Sequence, residues 1–337
     1  MLHTLIVGLG RSGRGLHVPS LAKARAAAPF LFAPGPLLGL DPAHDRVDGV
    51  RTVGSLEEAA RLRPPAQTVV HLCTPPRMRL EMLRDLADLG YRRVIVEKPL
   101  ALDLVELAGI ARLRRARDLE LNVATPWSAS SLTRRLTVVR RSGVFGALRA
   151  LTVVQNKPRF TRSLESTSHP TALDIEVPHA LAVAVSLAGD ADVVSADLSD
   201  MCVEGVRMPG LGAARVDLLH QSGTMTRIES DLTCPTRERR IVLEFDTAVL
   251  TGHYPCSEAD HTAQLAVAVE GRAPARSVFA DDALPAFLRS CYGRYARSWP
   301  GGGDLTAQIE AVRLLAEARN LCAPGTGARE VDSAVGA

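Results

Sequence analysis

Of the 40 lysines and arginines in this chain, only Lys23, Lys98 and Lys157 are lysine. Arginine is its general surface cation, so a lysine kept against that bias points to work a guanidinium cannot do, such as exchanging a proton through a lowered pKa. Lys98 has a suitable setting, directly after the apolar run Arg93 to Val96 and Glu97 and directly before Pro99. His179 is the second candidate, because an imidazole titrates near neutrality. It ends the segment Asp174-Ile-Glu176-Val-Pro-His179 and leads into an apolar helical run to Gly189. Asp174 and Glu176 precede it by five and three residues, and each could either support the histidine or cap the helix. Asn156, Lys157 and Arg159 follow a strand-like run at 149–155. Their charges could hold a phosphate or carboxylate on a substrate, or belong to an exposed loop with charge to spare.

Elements that would position these groups are legible in the first half. The apolar run His3 to Val7 ends in Gly8-Leu9-Gly10-Arg11-Ser12-Gly13, and a helix-compatible stretch follows to Leu21. Strand, glycine turn and helix in that order form a dinucleotide cradle, with one glycine for the turn, one for close approach to pyrophosphate and one for helix packing. Gly8, Gly10, Arg11, Ser12 and Gly13 are therefore cofactor-binding candidates, with Ser12 bonding phosphate. A second apolar run from Pro36 ends in Asp41. An acid there would meet a ribose hydroxyl and repel a 2′-phosphate, favouring NAD over NADP, although it could also cap the next helix. Because it stands further from the glycines than the usual ~20 residues, the Ala/Pro-rich stretch 22–36 must hold extra helix or loop. Strands are predicted at 68–73, 93–96 and 119–123, with helices at 77–89 and 103–115, so repeated βα units imply a parallel sheet. Thr74, Pro75, Glu97 and Lys98 then fall beyond strand carboxyl ends, where such sheets bind ligands.

The totals narrow the field. At 337 residues with 46% hydrophobic content, two folded domains are expected, at 1–123 and 124–337. The net charge of +3 is spread among acids, and the arginine runs lack interleaved aromatics, so nucleic acid is not the expected partner. Six widely spaced cysteines and histidines without ligand spacing indicate neither a disulfide scaffold nor a metal site. With no apolar stretch of spanning length and no signal-like start, a cytoplasmic location is expected.

Together, Gly8-x-Gly10-x-x-Gly13 with His17-x-Pro19 behind it, Thr74-Pro75, Glu97-Lys98-Pro99, Asn122 and the helix containing His179 resemble the Gfo/Idh/MocA oxidoreductases over most of the chain. The resemblance implies an α/β protein: an N-terminal Rossmann domain with a parallel sheet, and a C-terminal α/β domain with an open, mostly antiparallel sheet. That sheet would use runs near 146–156, 192–199, 213–220, 224–233 and 238–254. Helices at 282–297 and 305–321 would complete the domain, the last packing back toward the first domain, before a frayed tail from about Ala323. The resemblance also implies that Lys98 lies beside nicotinamide, that His179 takes the hydroxyl proton, and that Asn122, Asn156, Lys157 and Arg159 line the substrate pocket. An aspartate is common four residues before the histidine in this family, but here that position is Ile175, so Glu176, or else Asp174, would take its place unless each only caps the helix. The implied activity is NAD- or NADP-dependent oxidation of a secondary alcohol on a sugar, sugar derivative or cyclitol, or ketone reduction, with secondary-metabolite biosynthesis as the expected setting. The implied assembly is a homodimer or homotetramer. Glycoside cleavage with a retained cofactor and non-catalytic nucleotide sensing are the alternatives.

Overall fold

The computed structural model describes residues 1–44, 46–165, 169–257, 259–297 and 304–323. The tail expected beyond Ala323 lies outside them. Strands β1 (His3–Val7), β2 (Leu37–Leu40), β3 (Val50–Thr52), β4 (Thr68–Leu72), β5 (Arg93–Glu97) and β6 (Glu120–Ala124) form a parallel sheet in the order β3-β2-β1-β4-β5-β6. Its central strands are apolar runs because both faces are covered; every residue of β4 is buried. Helices α1 (Val18–Ala27), α2 (Leu56–Leu62), α3 (Arg79–Asp88) and α4 (Leu104–Ala116) supply much of that cover. Two start at side-chain caps: Ser55 accepts from the Glu58 amide before α2, and Asp103 from the Glu106 amide before α4. The long segment before Asp41 is explained by α1, a 3-10 turn at Pro29–Leu31 and a parallel bridge from Leu2 to Phe32.

Two further helices, α5 (Pro126–Ala129) and α6 (Ser131–Ser142), lead to β7 (Leu148–Asn156), then α7 (Phe160–Glu165) and α8 (Val177–Ala188). The remaining strands are β8 (Ala191–Leu198), the small hairpin β9 (Met201–Val203) and β10 (Val206–Met208), β11 (Ala213–His220), β12 (Met225–Asp231), β13 (Glu238–Phe245), β14 (Ala248–His253), β15 (Thr262–Val269) and β16 (Ala275–Ala280). All but the hairpin join β7 in an open sheet ordered β16-β15-β14-β13-β7-β12-β11-β8, antiparallel except between β7 and β12. The expected α/β class, a parallel Rossmann sheet followed by a mostly antiparallel open one, is what the chain forms. The run 238–254 is two strands, because Asp246 and Thr247 turn the chain between β13 and β14.

The last two helices, α9 (Ala283–Ala296) and α10 (Thr306–Cys322), return to the first sheet. Phe287, Leu288, Cys291, Tyr292 and Tyr295 of α9 join one core with Ile6, Leu21, Val69 and Ile95. Val312 of α10 enters the core on the sheet's other side, whereas Leu314, Leu315 and Ala318 enter the core beneath the open sheet. One helix therefore locks the two sheets together. Among the described residues no helix is long and apolar enough to cross a membrane.

Candidate active site

A cleft of about 1970 Å³ opens where the carboxyl ends of β1, β2, β4 and β5 face the residues after β7 and the start of α8. That exceeds the roughly 300–1,000 Å³ typical of one small-molecule pocket and leaves room for a dinucleotide and a second molecule. Its floor is the glycine turn. Gly8 has φ +94°, and a Cβ there would stand 2.8 Å from the Cys73 carbonyl carbon, so only glycine fits. A Cβ on Gly13 would strike the Gly8 carbonyl, while one on Gly10 would meet nothing. The outer two glycines thus serve chain packing and the middle one keeps the cleft floor open, the division of labour a pyrophosphate cradle needs. At the far end Asp41 accepts from the Leu9 and Ala43 amides at 2.7 and 2.8 Å and contacts His44 at 3.1 Å. Burial works against its charge, but the Ala43 amide, His44 and the Leu9 amide hold the carboxyl below its usual range. Thr74 and Pro75 line the cleft between these ends.

Glu97 and Lys98 leave β5 at the centre, ahead of a cis Lys98–Pro99 peptide. Glu97 accepts from His17 Nε2 at 2.8 Å, His17 Nδ1 lies 2.7 Å from His71 Nδ1, His71 Nε2 lies 3.0 Å from Tyr292 Oη, and Tyr292 meets Thr4 Oγ1 at 2.6 Å. Two facing Nδ1 atoms can bond only if one donates and the other accepts. Burial disfavours a charged His17, yet Cys73 and Glu97 outweigh it and raise the pKa to about 10. Burial and the His17 charge push His71 well below its ordinary value. His17 therefore donates in both directions, and neutral His71 passes its Nε2 proton toward Tyr292. Glu97 responds in kind: burial opposes its charge, but His17, with Ser12 and Lys98 adding, brings it down to about 2.

Lys98 Nζ donates to the Ile175 carbonyl at 2.6 Å, so Ile175 meets the lysine through its backbone. Burial pulls Lys98 down to about 8, Glu97 opposing and Arg159 adding to the effect. His179, in the first turn of α8, stacks on Trp127 with ring centres 6.2 Å apart and planes 12° apart, and Trp127 stacks in turn on Tyr254. Its Nδ1 is buried with no hydrogen-bond partner among the described residues. Burial, then Lys98 and, against Glu97, Arg239 and Lys157, drive His179 down to about 3. An amine close to neutrality and an uncharged imidazole thus share one cleft, a pair able to hold a hydroxyl and move its proton.

Two expected site residues do other work. Asp174 closes a capping box with Thr171 and pairs with Arg319 of α10, so it fastens the turn before α8 instead of serving His179. Asn122 is buried within β6; its amide nitrogen donates to Tyr295 and its oxygen accepts from Arg294. Both ends of its amide bond to α9, and Asn122 is not among the described residues that line the cleft. Glu176 does line the cleft, but its carboxylate is held by Lys157 and by Gln155 at 3.3 Å. Lys157 is therefore engaged by Glu176, although burial, with Arg239 and Arg159 adding, pulls its amine down to about 6; Asn156 and Arg159 line the cleft with it. Sequence reading missed His71, Trp127, His169, Arg162 and Arg239. Only His71, polar inside an apolar strand, carried a local signal; the others are unremarkable until the fold assembles them.

No family model and no curated protein matches the chain. Solved structures do match in fold. One is described as a putative NADPH-dependent oxidoreductase from Desulfitobacterium hafniense, with TM-score 0.79, 14% identity and 95% of each chain covered. Another is a 3-ketoreductase from Actinomadura kijaniata in complex with TDP-benzene and NADP, with TM-score 0.75, 14% identity and coverage of 95% of this chain and 98% of that one. A third is a UDP-N-acetylglucosamine 3-dehydrogenase from Acidithiobacillus ferrooxidans, with TM-score 0.73, 18% identity and coverage of 96% and 98%. At such identities the likeness is one of fold.

Proposed function

We propose that this protein is an NAD(P)-dependent oxidoreductase of the Gfo/Idh/MocA type, acting between a secondary alcohol and a ketone on a sugar, sugar derivative or cyclitol. The observation carrying this reading is the convergence of Lys98 from the first sheet and His179 from α8 on a cleft floored by the Gly8–Gly13 turn. The domain division at residue 123 and assembly as a homodimer or homotetramer belong to the same reading, which the 3-ketoreductase and the 3-dehydrogenase it resembles in fold support.

Gly8 to Gly13 and Thr74-Pro75 would hold the dinucleotide, with Arg11 and Ser12 toward its phosphates and Asp41 toward a ribose hydroxyl. The bound nicotinamide supplies hydride exchange with the substrate carbon. Lys98, in its neutral form, takes the hydroxyl proton at Nζ during oxidation and returns it during reduction. The family likeness would make His179 the proton acceptor, but an imidazole at about 3 accepts too weakly; it holds the substrate oxygen instead. Glu97, fixed by His17, orients the lysine.

The test is titration with NADH and NADPH, followed by nicotinamide fluorescence, in wild type and Asp41→Ala. Tighter NADH binding, with the preference relaxed by the substitution, is expected. Oxidation of a panel of sugars and cyclitols follows with the better cofactor. Failure of a cofactor-free preparation to bind either nucleotide would overturn the reading.

A further inference from the structure

The cleft's charges do not balance internally. Each carboxylate at its centre already has a partner: Glu97 has His17, Glu176 has Lys157, and Asp174 just behind has Arg319. On the cationic side, Arg11, Arg159 and Arg162 line the same cleft and make no ion pair among the described residues. Arg159 is the telling member. It is only 5% exposed, and its Nε is buried without a hydrogen-bond partner among the described residues. Burial, with Arg162 and Arg11 adding, pulls it down to about 10, so it remains charged at neutral pH. A buried guanidinium surrounded by like charge and lacking a counter-ion is costly, and a planar fork of donors suits an oxyanion.

We infer that Arg159 and Arg162 form an oxyanion subsite beside the reacting centre and that the substrate carries a phosphate held there. This rests on the oxidoreductase reading for the identity of the reacting centre. Arg11, on the glycine turn, reaches the cofactor's side, so pyrophosphate of the cofactor and phosphate of the substrate share the required chemistry. Position favours the substrate. Arg159 and Arg162 come from the segment after β7 and line the cleft with Lys98 and His169; the charges they act on or feel are those of Lys98, His169 and Arg11, not that of Asp41. Lys157 leaves the same strand but is engaged by Glu176, and burial, with Arg239 and Arg159 adding, pulls its amine down to about 6, so it does not share the role of Arg159.

The experiment is calorimetric titration of the protein, with and without saturating NADH, using a hexose phosphate and the matching neutral hexose. Wild type, Arg159→Ala, Arg159→Lys and Arg162→Ala are compared, so that one variant preserves the buried charge and another changes a half-exposed position. The phosphorylated probe should bind alongside NADH at least tenfold more tightly than the neutral one. That advantage should fall about tenfold in Arg159→Ala and Arg162→Ala, weaken with salt, and be partly kept in Arg159→Lys. Equal binding of the two sugars, or phosphate binding that NADH displaces, would overturn the subsite; the second result would assign the arginines to the cofactor. Arginine-dependent phosphate binding by a protein that binds no nicotinamide would keep the subsite and sink the oxidoreductase reading.

Discussion

The acid–base behaviour of the cleft turns on Lys98, because its pKa of about 8 is close to working pH whereas His179 is drawn to about 3. If neutral Lys98 accepts the hydroxyl proton, kcat/KM for oxidation rises with pH and levels above about 8. Arg159 lowers this pKa and Glu97 raises it, so the limb should move to higher pH in Arg159→Ala and to lower pH in Glu97→Gln. A rate already level from mildly acidic pH would instead return proton transfer to His179. The limb in kcat reports the bound complex. A substrate phosphate against Arg159 and Arg162 would cancel part of their field, placing that limb above the one in kcat/KM. At this scale the sequence exposed groups that sit in local motifs, namely the glycines, Asp41, Glu97, Lys98 and His179. It hid the partners. That Asp174 would be taken by Arg319 and Asn122 by Arg294 and Tyr295 depends on where α9 and α10 land, and nothing within a few residues of either position encodes that.

Strands and helices with strong periodicity were legible for a physical reason: a strand buried on both faces must be apolar throughout, as β4 is, and α8 is apolar on nearly every side. Weaker patterns escaped. Helix α6 turns Leu132 and Leu136 inward at helical spacing, but its four arginines drew attention as charge runs instead, and β15 alternates through small residues, Thr-Ala-Gln-Leu-Ala-Val-Ala-Val, so its period is faint. The placement of α9 against the first sheet was also invisible, although the buried chain from Glu97 to Tyr292 depends on it. Replacing Tyr292 by Phe removes the hydroxyl that joins His71 to Thr4 while keeping the ring against Phe32. Leaving those two buried groups unpaired should cost about 1–3 kcal/mol, read as a lower urea midpoint with unchanged slope. NADH affinity should stay within about twofold, because the hydroxyl lies on the far side of two imidazoles from the cleft. A large loss of affinity with intact stability would mean that the chain conditions the site directly.

For the whole molecule, the two faces of the open sheet are unequal. Leu132, Leu136, α8 and the inner side of α10 cover the face that carries Val153, Ile228 and Ile241. The opposite face presents a cross-strand row of Arg227, Thr152, Val242, Thr251 and Ala266, set by direct pairing from β12 to β15. Met225 and Leu219 stand exposed nearby at 43% and 46%, and Asp217 pairs with Arg215 and Arg227 within the chain. Small and apolar side chains along the middle, with charges already neutralised at one side, suit a flat self-complementary contact better than solvent. Light scattering at micromolar concentration should therefore give a mass two or four times that of the chain, and Val242→Glu, which buries like charges opposite each other across a twofold contact, should shift it toward the monomer while NADH affinity is retained. Since the cleft is built from residues of one chain, loss of binding together with the oligomer would show that the sheet contact supports the site; a monomeric wild type would remove the face from any role in assembly.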